Sequence, residues 1–365
     1  MKTYYMLGWH GQLNTGDDAF AIVTSWGLRH YCQANTIVME SDASGILHKK
    51  YNIKLVQTQS FYIPGLSRLL RRFYYTQSKS LIFAGGSLFN DKELNNFFNS
   101  YMFQKKKIIA IGVSVGPFVS LQHEKNTLEF LKKMDYIGFR DDFSYNWAAS
   151  KNIDIAFSKA FDLAVLLPLA VNYQFTTTEK SKRIGFSLLA FNYLKNPNEL
   201  NKDIEFIQNL AKSTYSVIKD RGFKITLYSL CRHHFYNDDI ICEAFLDSFP
   251  NKSDIEIFKH DGDAYRTWLA MKKCSHIVSM RLHGSVFAYI NQTPLLLMEY
   301  HPKCRDFADM VGLDNKFCFN LNNFEPDYYK NSLSLLLEES QIQTHLSLKS
   351  AQECALINFK GYTDW

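Results

Sequence analysis

Short apolar runs and amphipathic stretches alternate along most of this chain, and the alternation predicts an α/β fold. In the first half, strand-like runs fall at 2–7, 36–39, 80–84, 108–113, 136–139 and 153–157, with helical patterns at 17–31, 91–104, 123–134 and 141–150. Alternation of this kind places parallel strands in one sheet with helices on both faces. The helix at 17–31 opens on Asp17 and Asp18, acids set where the helix dipole favours them. Periodicity lapses between 168 and 182, and the polar, aromatic stretch 172–178 reads as a linker. A second series follows, with strands at 183–189, 224–230, 255–258, 276–280 and 294–299. Its helix at 203–221 carries Ile207, Leu210, Ala211, Thr214, Val217 and Ile218 on one face and stops at Gly222. The pattern from 326 to 349 is helical again. The expected organisation is two Rossmann-like lobes facing a cleft, 1–172 and 180–325, followed by a helical tail at 326–365.

Composition narrows the class of ligand. At 365 residues the chain exceeds one typical core, and 46% hydrophobic residues are ordinary for a globular protein. The 29 Phe and 21 Tyr are spread along the chain, as packing residues are, rather than gathered into a base-stacking platform. A net charge of +5 suits anionic ligands or an anionic membrane surface and falls short of a nucleic-acid footprint. No run approaches the ~20 apolar residues of a membrane span, and the opening residues run straight into a strand rather than a signal peptide. Seven cysteines without paired spacing favour a reducing cytoplasm.

The strongest local chemistry is Arg281-Leu282-His283, a fixed cation and a titratable imidazole in one turn after a buried strand. Tyr300 and Lys303 follow the next strand and are expected at the same sheet edge. After the first strand, Asn14, Gly16 and Asp17 form either an anion-binding helix start or a plain turn capped by Asn14 or Thr15. Gly85-Gly86 and the stretch 112–117 are further strand-end loops that admit close backbone approach. Arg140 with Asp141 and Ser144 reads as an anion contact or an internal ion pair. Asp162 is an acid in apolar surroundings, suited to proton transfer if buried alone and lowered if paired with Arg140. Cys231-Arg232-His233-His234 lacks the companions a metal site needs, so no metal is expected, and Arg232 or His233 reads as a rim contact or a solvated loop. The stretch 66–75, with Arg68, Arg71 and Arg72 among leucines and aromatics, reads as an ordinary amphipathic helix or as one lying on an anionic bilayer.

Taken in order, these motifs resemble the polysaccharide pyruvyl transferase family. The resemblance runs through Asn14-Thr15-Gly16-Asp17-Asp18, Gly85-Gly86, Gly112 to Pro117, Arg140-Asp141-Asp142-Phe143-Ser144, Asp162, Arg281-Leu282-His283-Gly284 and Tyr300-His301-Pro302-Lys303, most of the chain. It implies a fold similar to the two-lobed glycosyltransferase-B architecture. It implies transfer of a pyruvyl group from phosphoenolpyruvate to a sugar of a cell-surface polysaccharide or its lipid-linked precursor, without metal or other cofactor. Arg281 and Arg140, with Lys303, would hold the donor's anions, and His283 would be the acid or a phosphate ligand. Asp17 or Asp162 would be the base at the acceptor hydroxyl. An arginine that many relatives carry near the end of the second lobe's first strand has no counterpart in 185–192. A nucleotide-sugar glycosyltransferase and a non-catalytic sugar- or anion-binding protein are the alternative expectations.

Overall fold

The structure is a computed structural model, and it describes residues 2–41, 46–56, 66–89, 106–175, 180–233, 236–363 and 365. The chain forms two compact units. Met1–Gln12, Gly16–Tyr173 and Lys349–Trp365 make the first, and Leu13–Thr15 with Gln174–Leu348 make the second.

In the first unit seven strands form one sheet: β1 (Thr3–Leu7), β2 (Thr36–Glu40), β3 (Lys54–Val56), β4 (Ser80–Phe89), β5 (Lys107–Val115), β6 (Tyr136–Phe139) and β7 (Ala156–Lys159). Their order is β3-β2-β1-β4-β5-β6-β7 and every pairing is parallel. The central strands read as near-continuous apolar runs because helices cover both faces of such a sheet. Tyr5, Leu81, Phe83, Ala110, Ile137 and Phe139 belong to its core.

Two expected boundaries move. The last strand pairs only from Ala156, opposite Tyr136, while Ile153 is buried in the turn before it. β4 does not stop at Ala84. Gly85 and Gly86, at φ 71° and 84°, carry it onward to Phe89 with a register shift, where the pair had read as a turn. The helix expected at 91–104 lies outside the described residues.

The second unit repeats the plan with β8 (Ser181–Ser187), β9 (Lys224–Ser229), β12 (Ile255–Lys259), β13 (Cys274–Ser279), β14 (Leu295–Glu299) and β15 (Cys318–Asn320), all parallel in the order β12-β9-β8-β13-β14-β15. A short antiparallel ribbon, β10 (Arg232–His233) with β11 (Tyr236–Asn237), stands apart from it. The helix expected at 203–221 runs Leu200–Ile218, so Gly222, at φ 66°, sits in the turn beyond its end rather than at its cap.

The C-terminal stretch is two helices, not one. Pro326–Leu336 packs in the second unit, and Leu348–Lys360 packs in the first. Asn358 on the latter is fully buried. Its Oδ1 accepts the Gly112 N–H at 2.7 Å, and its Nδ2 donates to the Phe161 carbonyl at 3.2 Å. Both backbone groups lie beyond regular sheet pairing, so this side chain supplies partners that water cannot reach. Asn358→Ala should therefore lower unfolding stability by about 2–3 kcal/mol, the cost of orphaning buried polar groups. A denaturant midpoint that stays put would show that the last helix is an appendage.

Candidate functional site

In an open parallel sheet the ligand crevice lies at the strands' carboxyl ends, where the strand order reverses. That point falls between β1 and β4 in the first unit and between β8 and β13 in the second. Asp17, Gly85 and Gly86 stand at the first of these places and Arg281 at the second, whereas Arg140 and Asp162 follow β6 and β7, farther along their sheet.

In the second unit the Met280 N–H donates to the Ser187 carbonyl at 2.8 Å, joining the ends of β13 and β8. Arg281 comes next, at the N-cap of the helix Leu282–Ile290. Its Nε donates to Asp238 Oδ2 at 2.8 Å and its Nη2 to Asp238 Oδ1, a bidentate fork. Asp238 is 2% exposed and also accepts the Cys231 N–H at 2.9 Å. Burial alone would depress the guanidinium, but the Asp238 carboxylate, with Cys231 and Tyr300 adding to it, holds it above its ordinary value. Gly284 in the next turn is a steric requirement, because a Cβ there would lie 2.4 Å from Ser279 Oγ and 2.7 Å from Ser187 Oγ. Only glycine lets this helix start sit down on the two strand ends.

His283, half-buried, occupies the first turn of that helix. Tyr300 follows β14, and Lys303 lies in the first turn of the helix Pro302–Val311 with its Nζ 5.3 Å from the Tyr300 ring centre. The Cys304 thiol points at the Met280 carbonyl at 3.8 Å, which ties this turn to the one bearing Arg281. Arg281, Tyr300 and Lys303 are thus brought to one edge of one sheet. Beside Arg281 is a small hollow of about 90 Å³ whose walls include Tyr193, Leu194, Leu200 and Tyr236, with Asp238 and Arg281 as its charged members among the described residues. Beyond β8 the chain turns through 190–193, and buried Asp203 accepts the Asn192 and Tyr193 N–H groups at 3.0 and 2.8 Å.

In the first unit Arg140 is buried at the end of β6. Its Nη1 donates to Asp162 Oδ2 at 3.0 Å, its Nε to Ser114 Oγ at 2.7 Å and its Nη2 to Ser87 Oγ at 3.5 Å. Ser114 in turn donates to Asp141 Oδ2, so Asp141 steadies Arg140 through a hydroxyl while capping the helix Asp142–Ser150. The ion pair expected between neighbours Arg140 and Asp141 is not the one formed: Arg140 pairs with Asp162 and meets Asp141 only through Ser114. Asp162 is engaged twice, since its Oδ1 accepts the Ala164 N–H at 2.9 Å. Ser144, expected to touch a ligand, is fully buried and its hydroxyl accepts the Val115 N–H at 2.9 Å. It shapes the turn instead.

The loop after β1 is held by its own polar groups. His10 is buried, and its Nδ1–H donates to the Asp17 carbonyl at 3.0 Å. Asp18 accepts the Gly11 N–H at 2.6 Å. A Cβ at Gly85 would lie 2.2 Å from the Phe20 ring, and one at Gly86 would be 3.6 Å from Asp17 Oδ1, so Asp17 and Gly86 are neighbours. Gly16 is buried in the first turn of the helix Thr15–Cys32. Asn14 and Thr15 belong to the second unit, where Asn14 bridges to Cys231 and the Thr15 hydroxyl donates to the Leu230 carbonyl at 2.8 Å rather than capping its helix.

Arg232 is held by Asp239 at 3.3 Å and by the His260 carbonyl at 3.3 Å, which keeps it from serving as a rim contact. Cys231 is buried, and His234 lies outside the described residues. Among the described residues no group of His, Cys, Asp and Glu is arranged to hold a metal ion. The residue that sequence reasoning missed is Asp238, a few positions beyond the Cys-Arg-His-His stretch. An acid that starts an apolar helix reads as a dipole partner, and nothing local announces an arginine 43 residues away.

The family model for polysaccharide pyruvyl transferases matches residues 14–302. No curated protein matches the sequence. Among solved structures, a UDP-GlcNAc 2-epimerase from Methanocaldococcus jannaschii aligns with a TM-score of 0.63 at 12% identity, covering 98% of this chain and 100% of that one. A putative UDP-N-acetylglucosamine 2-epimerase from Listeria monocytogenes aligns at 0.62 and 10% identity, covering 98% and 94%. A glycosyltransferase from Rickettsia africae aligns at 0.53 and 11% identity, covering 98% and 93%. These likenesses establish the fold: two parallel sheets with helices, shared with glycosyltransferases and epimerases of the glycosyltransferase-B type.

His10 yields a test of the loop after β1. Burial lowers it from 6.5 to about 4, against the opposing pull of the Asp17 carbonyl. The unfolded chain therefore binds a proton between these values that the folded one does not, so stability rises with pH from about 4 to 6.5. The span corresponds to about 3 kcal/mol. His10→Gln should flatten that part of the stability–pH curve. An unchanged slope in denaturant titrations would mean that His10 protonates in place.

Proposed function

This chain belongs to the polysaccharide pyruvyl transferase family, and from that membership we propose that it transfers a pyruvyl (carboxyvinyl) group from phosphoenolpyruvate to a sugar of a cell-surface polysaccharide or its lipid-linked precursor, closing a pyruvate ketal. The observation that carries the reading is Arg281, a guanidinium oriented by buried Asp238 at the switch point of a parallel sheet, with Tyr300 and Lys303 on the same edge.

Phosphoenolpyruvate presents a carboxylate and a phosphate. Arg281 and Lys303 hold these charges, and the N-terminus of the helix Leu282–Ile290 adds backbone N–H groups. His283 delivers a proton to the methylene carbon, or ligates the phosphate as it leaves. The neighbouring carbon then becomes electrophilic, a sugar hydroxyl oxygen bonds to it, and the carbon–oxygen bond to phosphate breaks with its electron pair. A second hydroxyl of the same sugar closes the ketal. Of the two hydroxyl protons released, one balances the proton on the methyl group and one leaves with phosphate or a base. Asp17 or Asp162 takes the role of that base, with Asp162 also held by Arg140 and the Ala164 N–H. Arg140, bound to Asp162 and Ser114, offers a ligand at most its Nη2 edge beside exposed Ser87. Arginines and lysine neutralise the donor, so the reaction calls for no metal, and we place the enzyme in the cytoplasm.

A second reading has one observation in its favour. The aromatic and aliphatic walls of the hollow beside Arg281 suit a nucleobase as well as they suit a three-carbon acid, which would make the chain a nucleotide-sugar glycosyltransferase. Incubation with phosphoenolpyruvate and an acceptor glycan separates the two. Phosphate release with ketal formation is expected, and nucleotide release from a sugar donor would replace this reading with the second. His283→Ala should cut ketal formation about 10²–10⁴-fold while the thermal midpoint stays unchanged. Turnover near that of the unsubstituted enzyme would remove His283 from the mechanism.

A further inference from the structure

The helix Leu66–Gln77 carries no acidic residue, and three of its apolar side chains face outward. Leu69 is 67% exposed, Leu70 39% and Phe73 55%. At 3.6 residues per turn these three fall within an arc of about 100°. Tyr75, on the opposite side, is buried and meets the Tyr5 ring edge-on at 6.1 Å, so the helix is anchored by one face and bare on the other. Cations flank the bare face. Arg72 is exposed, Arg71 lies 3.7 Å from Glu40, and the exposed Lys54 of β3 stands 4.5 Å from the Tyr74 ring centre.

An apolar stripe bordered by arginine and lysine, with no carboxylate on its helix, matches the interface of an anionic bilayer. The apolar side chains enter the acyl boundary while the cations stay among phosphates. A protein partner fits less well, since three side chains fall far short of the ~800 Å² per partner of a stable protein interface. No helix of the described residues is long and apolar enough to cross a membrane. We propose that Leu69, Leu70 and Phe73, flanked by Arg72 and Lys54, form a docking face that binds anionic lipid bilayers and holds the protein at a membrane surface. The proposal stands on this helix and the adjoining Lys54 and is independent of the donor assigned above.

Sedimentation with vesicles tests it. Binding to vesicles of mixed phosphatidylcholine and phosphatidylglycerol should exceed binding to phosphatidylcholine alone at least tenfold and should weaken with salt. Leu69→Ser and Phe73→Ser should each reduce it about tenfold, and Arg72→Gln about fivefold. All three positions are exposed, so thermal midpoints should not move. Equal binding to neutral vesicles, or binding unchanged by these substitutions, would overturn the proposal. So would a lipid-free dimer that Phe73→Ser dissociates, because a second copy would then own the face. Turnover on a water-soluble acceptor should be unaffected in Phe73→Ser. Its loss would put the helix in the reaction site and overturn membrane docking while leaving the pyruvyl-transfer reading intact.

Discussion

A guanidinium taken out of water needs a counter-charge beside it, and the layout of each unit follows from meeting that need at a sheet edge. Arg281 is held by Asp238, and Arg140 by Asp162. Each arginine stands immediately after a parallel strand, and each aspartate comes from a turn that leads into a helix or a 3-10 segment. Removing one partner of such a pair leaves a buried charge, at a cost of about 3–5 kcal/mol. Neither arginine can therefore drift far from its station. What each unit holds at its carboxyl edge is a fixed, partly compensated dipole rather than a loose cation.

The two pairs are not equivalent. Arg140 is committed on three sides, to Asp162, Ser114 and Ser87, and Ser114 is itself braced by Asp141. Arg281 is committed to Asp238 alone among its hydrogen-bond partners in the described residues, and it faces an open hollow. It also sits where the dipole of a helix start points outward, beside Tyr300 and Lys303. In the proposed reaction Arg281 is therefore the arginine placed to receive the anion, while Arg140 is tied to its neighbours.

The periodicity of apolar runs made the inner strands of both sheets legible, because a strand buried on both faces writes itself as a continuous hydrophobic stretch, whereas the three-residue edge strands β3 and β15 are too short to do so and were not expected. The arginine and histidine after β13 were legible for the same reason, since a charged residue ending such a run marks a carboxyl edge. Other features depend on contacts far apart in sequence. The Asp238 fork spans 43 residues, and Asn358 reaches Gly112 across 246. Ser144 looked like a ligand contact because its neighbours are charged, yet its hydroxyl is consumed by the Val115 amide. Gly85 and Gly86 looked like a turn, and the Phe20 ring accounts for Gly85 without any ligand. Local composition announces flexibility or charge, whereas the partner that uses it is decided by packing.

The end of β8 bears on how the donor proposed above is held. The turn at 190–193 offers no cation, and Asp203 fastens its backbone by accepting two amides, which fixes the turn as firmly as an ion pair would. In the proposed reaction the charge burden falls on Arg281, Lys303 and the helix start at Leu282. Lys303 rests over the Tyr300 ring, a position with room to swing because an ammonium on a four-carbon stem reorients at little cost. Arg281 cannot swing, since Asp238 holds both ends of its fork. A rigid guanidinium paired with a mobile ammonium suits a ligand whose phosphate must leave while its carboxylate stays. The fixed group would retain the carbon skeleton, and the flexible one would follow the departing charge.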